Sequence, residues 1–280
     1  MNLEYWDEFQ HSVQFFEDIH RYTDNVLQAF IDETDSKRGF EKTRRSAIRE
    51  RSLGIGVMGF HQYLQSKDLP FGCLSSDILN KQIFQTIDAM FKVTNKILGE
   101  EKGTATLSGT KRNVHVTAIA PTASISTLCN LSSPGIDPRV ANVYTAKTNI
   151  GAYTVKNKYL LEKLVTYDEY HHELTWKSIL KNDGSVQHLD WMSDEDKDVF
   201  KTAYEIDNAW IVKYACDRAP YIDQAASTNI FIPADVNVQK LYKLHMDAWR
   251  GGAKSLYYLR SLSLNRATVE DTERECLSCQ

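Results

Sequence analysis

The sequence is poor in cysteine, has no long hydrophobic run and carries little net charge. Five cysteines among 280 residues are too few and too scattered for a disulfide framework, which favours a reducing cytoplasm. No apolar stretch approaches the roughly 20 residues that span a membrane. The N-terminus lacks the basic-then-apolar layout of a signal peptide. A net charge of -4 gives no general case for nucleic-acid binding.

Signals for a metal site or for several domains are also absent from the sequence. The eight histidines are dispersed, and a zinc site at the terminal cysteines would need two more ligands. No internal repeat or low-complexity linker divides the chain. We expect one domain over residues 1–261, followed by a flexible, polar tail over residues 262–280.

The sequence does contain long amphipathic segments that alternate with short apolar ones. The predicted strands are residues 114–120, 227–233 and 253–261. The predicted helices are residues 1–34, 60–65, 77–98, 194–219 and 235–252. A basic loop is expected over residues 36–52. Short strands that alternate with longer helices predict an α/β protein with parallel strand pairing.

The stretch RSLGIGVMGF contains glycines at the G-x-G-x-x-G spacing of a dinucleotide-binding turn. Gly54, Gly56 and Gly59 match the spacing, but such a turn follows a strand and is followed by an acidic residue about 20 positions later. The preceding residues are charged, and the nearest acid, Asp77, lies at a predicted helix start. We therefore favour close backbone packing at a tight turn over a cofactor site.

A second motif, APTASIS, places small hydroxylated residues directly after a predicted strand. The strand ends at Pro121, and Thr122, Ser124 and Ser126 lead into a predicted helix. Hydroxyls and free backbone N–H groups at a helix start can bind an anion. A simple Ser/Thr helix cap fits the same spacing, so the residues alone leave both interpretations open.

Two paired features lie near the C-terminus. Cys276 and Cys279 have the C-x-x-C spacing of a redox pair, and a dithiol on a mobile tail is suited to disulfide exchange. A tail without a role is the alternative. Tyr257 and Tyr258 are adjacent in a predicted strand, where successive side chains point to opposite faces. Ordinary sheet packing is therefore the simplest account of the tyrosines.

In this order, these features resemble the C-terminal part of the large, catalytic subunit of class I ribonucleotide reductase. The matching stretches are RSLGIGVMGF, RNVHVTAIAPTASIS, SPGIDP, GGAKSLYYLRS and ECLSC. The resemblance runs from about Arg44 to the end of the chain. It implies part of a ten-stranded α/β barrel. It also implies a component of ribonucleoside-diphosphate reductase, which makes deoxyribonucleotides for DNA synthesis by radical chemistry.

The resemblance implies that the APTASIS loop binds the substrate. Thr122, Ala123, Ser124 and Ile125 then hold the phosphates of a nucleoside diphosphate, which agrees with the anion site expected at a helix start. No cofactor or metal is expected on this chain. A metal-radical cofactor is expected in the small subunit. The allosteric nucleotides, ATP and deoxynucleoside triphosphates, are expected to bind elsewhere in the large subunit.

The resemblance also implies roles for the paired residues near the C-terminus. Tyr257 and Tyr258 are similar to the adjacent tyrosines that pass a radical from the small subunit toward the active site. Cys276 and Cys279 are similar to the swinging dithiol that reduces the active-site disulfide. That dithiol is re-reduced by thioredoxin or glutaredoxin, which are therefore expected partners.

The sequence departs from the family at its essential cysteines. The family has a radical-forming cysteine in an N-x-C-x-E pattern and two further reducing cysteines. Only Cys129, in TLCNLSS, comes near that pattern, and no glutamate follows it. We therefore expect one piece of a split large subunit, which assembles with an N-terminal chain because half a barrel has unpaired strand edges. A fragment of a longer protein is the alternative.

Two other functions stay open from the residues alone. A non-catalytic fragment that competes for the small subunit or for thioredoxin would bind without restoring activity. An NAD- or FAD-dependent oxidoreductase rests on the glycine spacing by itself. Neither a membrane nor a nucleic acid is an expected partner.

Overall fold

The computed structural model describes residues 1–148 and 151–262. The helices are α1 (Trp6–Phe9), α2 (Val13–Glu33), α3 (Glu41–Glu50), α4 (Phe60–Ser66), α5 (Leu74–Lys102), α6 (Ala123–Leu128), α7 (Lys158–Leu164), α8 (His172–Lys181), α9 (Asp194–Val199), α10 (Asn208–Arg218) and α11 (Val238–Arg250). The strands are β1 (Val143–Thr148), β2 (Gly151–Lys156), β3 (Ile230–Ile232) and β4 (Leu259–Ser261). Two 3-10 turns are Leu3–Tyr5 and Ala219–Tyr221.

Five extended segments lie side by side and form what we call the parallel row. The segments are residues 1–3, 53–59, 115–119, 224–232 and 257–262. Parallel bridges join Asn2 to Met58, Ile55 to Thr117, Ile119 to Ala226, and β3 to β4. The order in space therefore follows the order in the chain. Every connection between neighbouring segments contains at least one helix. This arrangement confirms the predicted α/β class and its parallel pairing.

The helices pack on the row through a continuous apolar core. α2 packs on α5, and α10 packs on both α5 and α11. Four helices supply the large aromatic side chains at its centre. These are Phe16, Phe60, Phe84, Phe91 and Tyr214, each at most 3% exposed. Full burial of one such side chain stabilises the fold by roughly 1.5–3 kcal/mol, so this cluster fixes the helices against the row.

A buried carboxylate aligns two neighbouring segments of the row. Asp24 on α2 is fully buried and accepts hydrogen bonds from Arg51 at 2.9 Å, Arg112 at 3.0 Å and Asn113 at 3.1 Å. Burial raises the pKa of Asp24, but these hydrogen bonds outweigh it and hold the pKa below its ordinary value. The two arginines lie two and three residues before the second and third segments, so the Asp24 carboxylate positions both segments.

Two of the expected helices are each divided in two, because a capping residue inside the expected range starts a new helix. Residues 1–34 form a turn and two helices, because the Ser12 hydroxyl accepts a backbone N–H and begins α2. Residues 194–219 likewise contain α9 and α10. Ser193 caps α9, directly before the expected helix start at residue 194, and Asp207 caps α10. The apolar periodicity continues across both breaks, which is why periodicity alone did not reveal them.

The expectation of a basic loop over residues 36–52 is wrong, because α3 lies there. Lysine, arginine and glutamate are good helix formers, but α3 contains no buried residue and therefore shows no apolar stripe. Arg44 anchors it by donating to the Ile31 carbonyl at 2.9 Å and pairing with Asp35 at 2.9 Å. Tertiary contacts of charged side chains thus place this helix.

The region between the third and fourth segments of the row forms a small second core. β1 and β2 form an antiparallel hairpin, and α7 and α8 pack nearby. Val143, Leu160, Trp176 and Phe200 are among its buried residues. This hairpin is separate from the parallel row and was not predicted.

The glycine stretch lies within the parallel row rather than after a strand. A Cβ at Gly56 would lie 2.4 Å from the Ala118 carbonyl oxygen. Gly59 has a φ of 81° and precedes α4. Its N–H donates to the Ser133 carbonyl at 2.8 Å, and the Gln62 N–H donates to the Ser133 hydroxyl at 3.3 Å. These amides are already engaged, so the structure supports close packing rather than a dinucleotide site.

We expect Gly56→Ala to lower the free energy of unfolding by about 1–3 kcal/mol, because the new Cβ must displace backbone. Urea unfolding followed by circular dichroism measures the loss. Gly54→Ala is the matched control, since its Cβ would meet only the Ala118 Cβ at 3.6 Å. The control should change the free energy by less than about 1 kcal/mol. Equal losses in both variants would contradict the close-approach argument.

Candidate functional site

The predicted phosphate loop forms the start of α6. Thr122 is the N-cap residue, and its side chain makes no capping hydrogen bond, so the simple-cap alternative does not describe it. The N–H groups of Ala123, Ser124 and Ile125 are the first three of the helix and have no acceptor within it. Ser124 and Ile125 are exposed. The loop therefore presents backbone donors at an accessible helix start.

The backbone at both ends of α6 has an uncommon conformation. Thr122 has a φ of 56°, and Asn130 and Leu131 have φ values of 60° and 56°. Left-handed backbone in residues other than glycine costs of order 1–3 kcal/mol and occurs preferentially at functional sites. The Gly135 N–H donates to Thr122 Oγ1 at 2.7 Å and holds this conformation. The SPGIDP segment, residues 133–138, thus supports the loop.

The same segment connects to the tyrosine pair through a buried carboxyl group. Asp137 is 6% exposed and accepts hydrogen bonds from the Asn229 N–H at 3.2 Å and the Asn229 side-chain amide at 2.6 Å. Asn229 Oδ1 accepts the Tyr258 N–H at 3.0 Å. Because Asn229 Nδ2 must face the carboxyl group, Asp137 sets the orientation in which Oδ1 reaches the Tyr258 backbone.

Tyr257 and Tyr258 lie in contact at the outer segment of the row. Their ring centroids are 4.0 Å apart, and their phenol oxygens are 3.1 Å apart. Each side chain is about half exposed, at 49% and 50%. The expectation that they point to opposite faces is wrong, because both residues precede β4 and lie outside its regular pairing. Adjacent phenols in hydrogen-bond contact are suited to passing a hydrogen atom between them.

Two pKa shifts occur in this region. Burial raises the pKa of Asp137 to about 7, although its hydrogen bonds from Asn229 and the charges of Arg218 and Arg260 act in the opposite direction. The hydrogen bond with Tyr258 raises the pKa of the Tyr257 phenol. Both groups therefore hold their protons more tightly in this environment than in water.

Some predicted site residues lie outside what the structure describes. Cys276 and Cys279 are beyond residue 262, as is nearly all of the expected tail. Across residues 1–148 and 151–262, no group of three or more His, Cys, Asp or Glu side chains could hold a metal ion. No helix within those same ranges is both long enough and apolar enough to cross a membrane.

Asp137 and Asn229 are the residues that sequence reasoning missed. Asp137 lies in SPGIDP, which was recognised only as a matching stretch, and Asn229 begins the apolar run of β3. The available signal was the polar residue Asn229 beside an apolar strand. This signal does not reveal that Asp137 is the partner of Asn229, because the two residues are 92 positions apart in the chain.

The fold and these contacts define an α/β protein with a parallel row, an exposed helix-start loop and a tyrosine pair. The family model that matches is the ribonucleotide reductase barrel domain, over residues 2–109 and 106–259. The chain belongs to this ribonucleotide reductase family. The expected fold, part of the reductase barrel, is thereby confirmed.

Individual relatives agree with the family match. The ribonucleoside-diphosphate reductase large subunit of Invertebrate iridescent virus 3 is 39% identical over 100% of this chain and 46% of the relative. The large chain from Schizosaccharomyces pombe is 28% identical over 81% of this chain and 32% of the relative. The Actinobacillus ureae class Id ribonucleotide reductase alpha subunit matches with a TM-score of 0.87 and 34% identity, over 94% of this chain and 49% of that chain. The chain spans less than half the length of these relatives.

The buried carboxyl of Asp137 predicts a specific pH dependence of stability. Its pKa is about 7 in the folded chain against an ordinary value of 3.8, so the unfolded chain loses this proton first as pH rises. The contribution of Asp137 to the free energy of unfolding is therefore complete below pH 3.8 and decreases as the pH rises from 3.8 to about 7. It is lost above the folded pKa. Asp137→Asn removes this dependence, and its stability relative to the unmodified chain should rise from pH 5 toward pH 7.

Urea unfolding across this pH range measures the difference. Asp235→Asn, which changes an exposed carboxyl group, is the control and should show no comparable trend. A difference between Asp137→Asn and the unmodified chain that stays constant with pH would show that the carboxyl group is ionised in the folded protein.

Proposed function

We propose that this chain is a component of the large subunit of ribonucleoside-diphosphate reductase. The enzyme replaces the ribose 2′-hydroxyl of a ribonucleoside diphosphate by hydrogen, through radical chemistry, and releases water. The observation that carries the proposal is the contact of the Tyr257 and Tyr258 phenols, 3.1 Å apart and exposed, in a member of the reductase barrel family. The chain spans about half or less of the length of the relatives it matches, so the reaction requires the rest of the large subunit.

The start of α6 is proposed to bind the substrate diphosphate. The N–H groups of Ala123, Ser124 and Ile125 have no acceptor within α6 and lie at the positive end of the helix, where an anion is stabilised. Thr122 supports them, because its hydroxyl accepts the Gly135 N–H and keeps the turn in place. This role fits two phosphate groups, which present many acceptor oxygens and no donor.

The tyrosine pair is proposed to relay the radical. A phenoxyl radical on one tyrosine takes a hydrogen atom, one electron and one proton, from the other phenol, and the radical moves without net charge transfer. The raised pKa of Tyr257 keeps that phenol protonated and able to supply both particles. Asp137 and Asn229 act as positioning residues for the backbone of Tyr258.

The small subunit is proposed to dock beside α11 and to supply the radical from its metal-radical cofactor. Val238, Tyr242 and Trp249 on α11 are 78%, 66% and 73% exposed, and their spacing places them on one side of the helix. The helix ends at Arg250, shortly before the tyrosine pair in the chain. An exposed apolar stripe that lies shortly before a radical relay in the chain is suited to a protein partner.

The remaining parts of the reaction are proposed to come from other segments. An N-terminal chain, or the preceding part of a longer protein, supplies the radical-forming cysteine and two reducing cysteines. Cys276 and Cys279 then return two electrons and two protons to the resulting disulfide by thiol–disulfide exchange. Thioredoxin or glutaredoxin reduces them in turn, and this requirement fits a cytoplasmic location.

Reconstitution tests this function. Mixing the chain with the N-terminal part of a large subunit and a small subunit should give reduction of a nucleoside diphosphate, measured as deoxynucleotide formed. Tyr257→Phe and Tyr258→Phe should each reduce the rate to background with assembly intact, because phenylalanine has no phenol hydrogen to transfer. Tyr22→Phe, which changes an exposed tyrosine on α2, is the control.

Other results of the same experiment are informative. Binding to the small subunit without any product would favour the non-catalytic alternative. Full activity of Tyr257→Phe and Tyr258→Phe would exclude the relay.

The tail is tested by its choice of reductant. Replacing both Cys276 and Cys279 by serine should abolish turnover driven by thioredoxin and spare turnover driven by dithiothreitol, since a small dithiol reaches the active site directly. Cys73→Ser is the control, because its sulfur caps α5 and serine caps a helix at least as well. Loss of activity with both reductants would assign the cysteines another role.

A further inference from the structure

The basic segment that was expected to be a loop encloses a pocket of about 500 Å³ between the end of α2 and α3. The charged side chains that line it are Lys37, Arg38, Glu41, Arg44, Arg45 and Arg49. Its volume lies within the roughly 300–1,000 Å³ of small-molecule sites. Neither the glycine packing nor the tyrosine relay uses this part of the chain.

The pocket has a strong excess of positive charge. Five cationic side chains and one carboxylate line it, whereas the chain as a whole has a net charge of -4. Both oxygens of Glu41 accept the Gly39 N–H, at 3.1 and 3.0 Å. The single acid is therefore engaged at the turn, and it does not form an ion pair with any cation of the described chain.

The cations fall into two groups. Arg44 pairs with Asp35, and Lys37 pairs with Glu33, so these two help to hold the pocket walls. The side chains of Arg38, Arg45 and Arg49 make no hydrogen bond or ion pair with any residue in the ranges 1–148 and 151–262. Arg45 and Arg49 lie one turn apart on α3, and Arg38 projects from the preceding turn. Three uncommitted guanidinium groups thus line one pocket.

Guanidinium groups bind phosphate oxygens through paired, charge-assisted hydrogen bonds. One phosphate monoester carries about 1.5 to 2 negative charges at pH 7, so the three uncommitted guanidinium groups leave an excess of positive charge over it. Two or more linked phosphate groups match that excess better and also reach several arginines at once. We propose that this pocket binds a small anion with two or more linked phosphate groups.

Calorimetric titration of the full chain with inorganic tripolyphosphate tests the proposal. Saturable one-to-one binding is expected at low ionic strength. Replacing both Arg45 and Arg49 by glutamine should weaken it at least about tenfold, because two charge-assisted contacts are lost. Lys42→Gln is the matched control, since Lys42 is exposed on the same helix but does not line the pocket. It should change the affinity less than about twofold.

Arg38→Gln gives an independent test should the double variant fail to fold, because this residue lies in the turn outside α3. It should also weaken binding, with an unchanged circular dichroism spectrum. Equal weakening by Lys42→Gln would overturn the proposal, because it would show attraction to the surface charge in general. Absence of binding at millimolar tripolyphosphate would overturn it as well. Tighter binding of a hexaglutamate peptide would overturn it in favour of an acidic protein segment.

Discussion

Main-chain hydrogen bonding between parallel neighbours is the constraint on which the rest of this structure depends. Parallel segments cannot be joined by tight turns, so each must be delivered by a long connection and aligned by contacts outside the row. Asp24 provides such a contact, since Arg51 and Arg112 bind it directly before two neighbouring segments. Gly56 then allows these segments to approach, because any side chain there would meet the Ala118 carbonyl.

The two halves of the candidate site are linked through one short segment. Residues 133–138 hold the helix-start loop through Gly135 and reach the tyrosine pair through Asp137 and Asn229. These hydrogen bonds are largely buried, where breaking one leaves an unsatisfied polar group and costs about 1–3 kcal/mol. The loop and the tyrosines are therefore held in fixed relation by a rigid connection rather than by separate supports.

Much of the fold and of the candidate site was predictable, for local reasons. Ser193 caps a helix and Gly251 ends one as their residue types indicate, and the order of the motifs identified the family. The break at Ser12 and the helix α3 were not predictable in the same way. The break at Ser12 depends on a capping hydroxyl that interrupts a continuing apolar periodicity. The helix α3 depends on the charged anchor Arg44 and has no apolar stripe. The contact of the tyrosine rings also escaped prediction. The tyrosines belong to the outer segment of the row but precede the regular pairing of β4, which would make successive side chains alternate.

By itself, the sequence determined the α/β class, the helix cap at Ser193, and which residue types could bind phosphate, relay a radical or exchange disulfides. Only the tertiary structure decided which of these residues meet. Asp137 acquires its raised pKa from burial beside Asn229, 92 residues away, and Tyr257 acquires its own shift from a neighbour whose orientation the fold sets. Local signals cannot contain this information, because desolvation and hydrogen bonding depend on groups that are distant in the chain and adjacent only after folding.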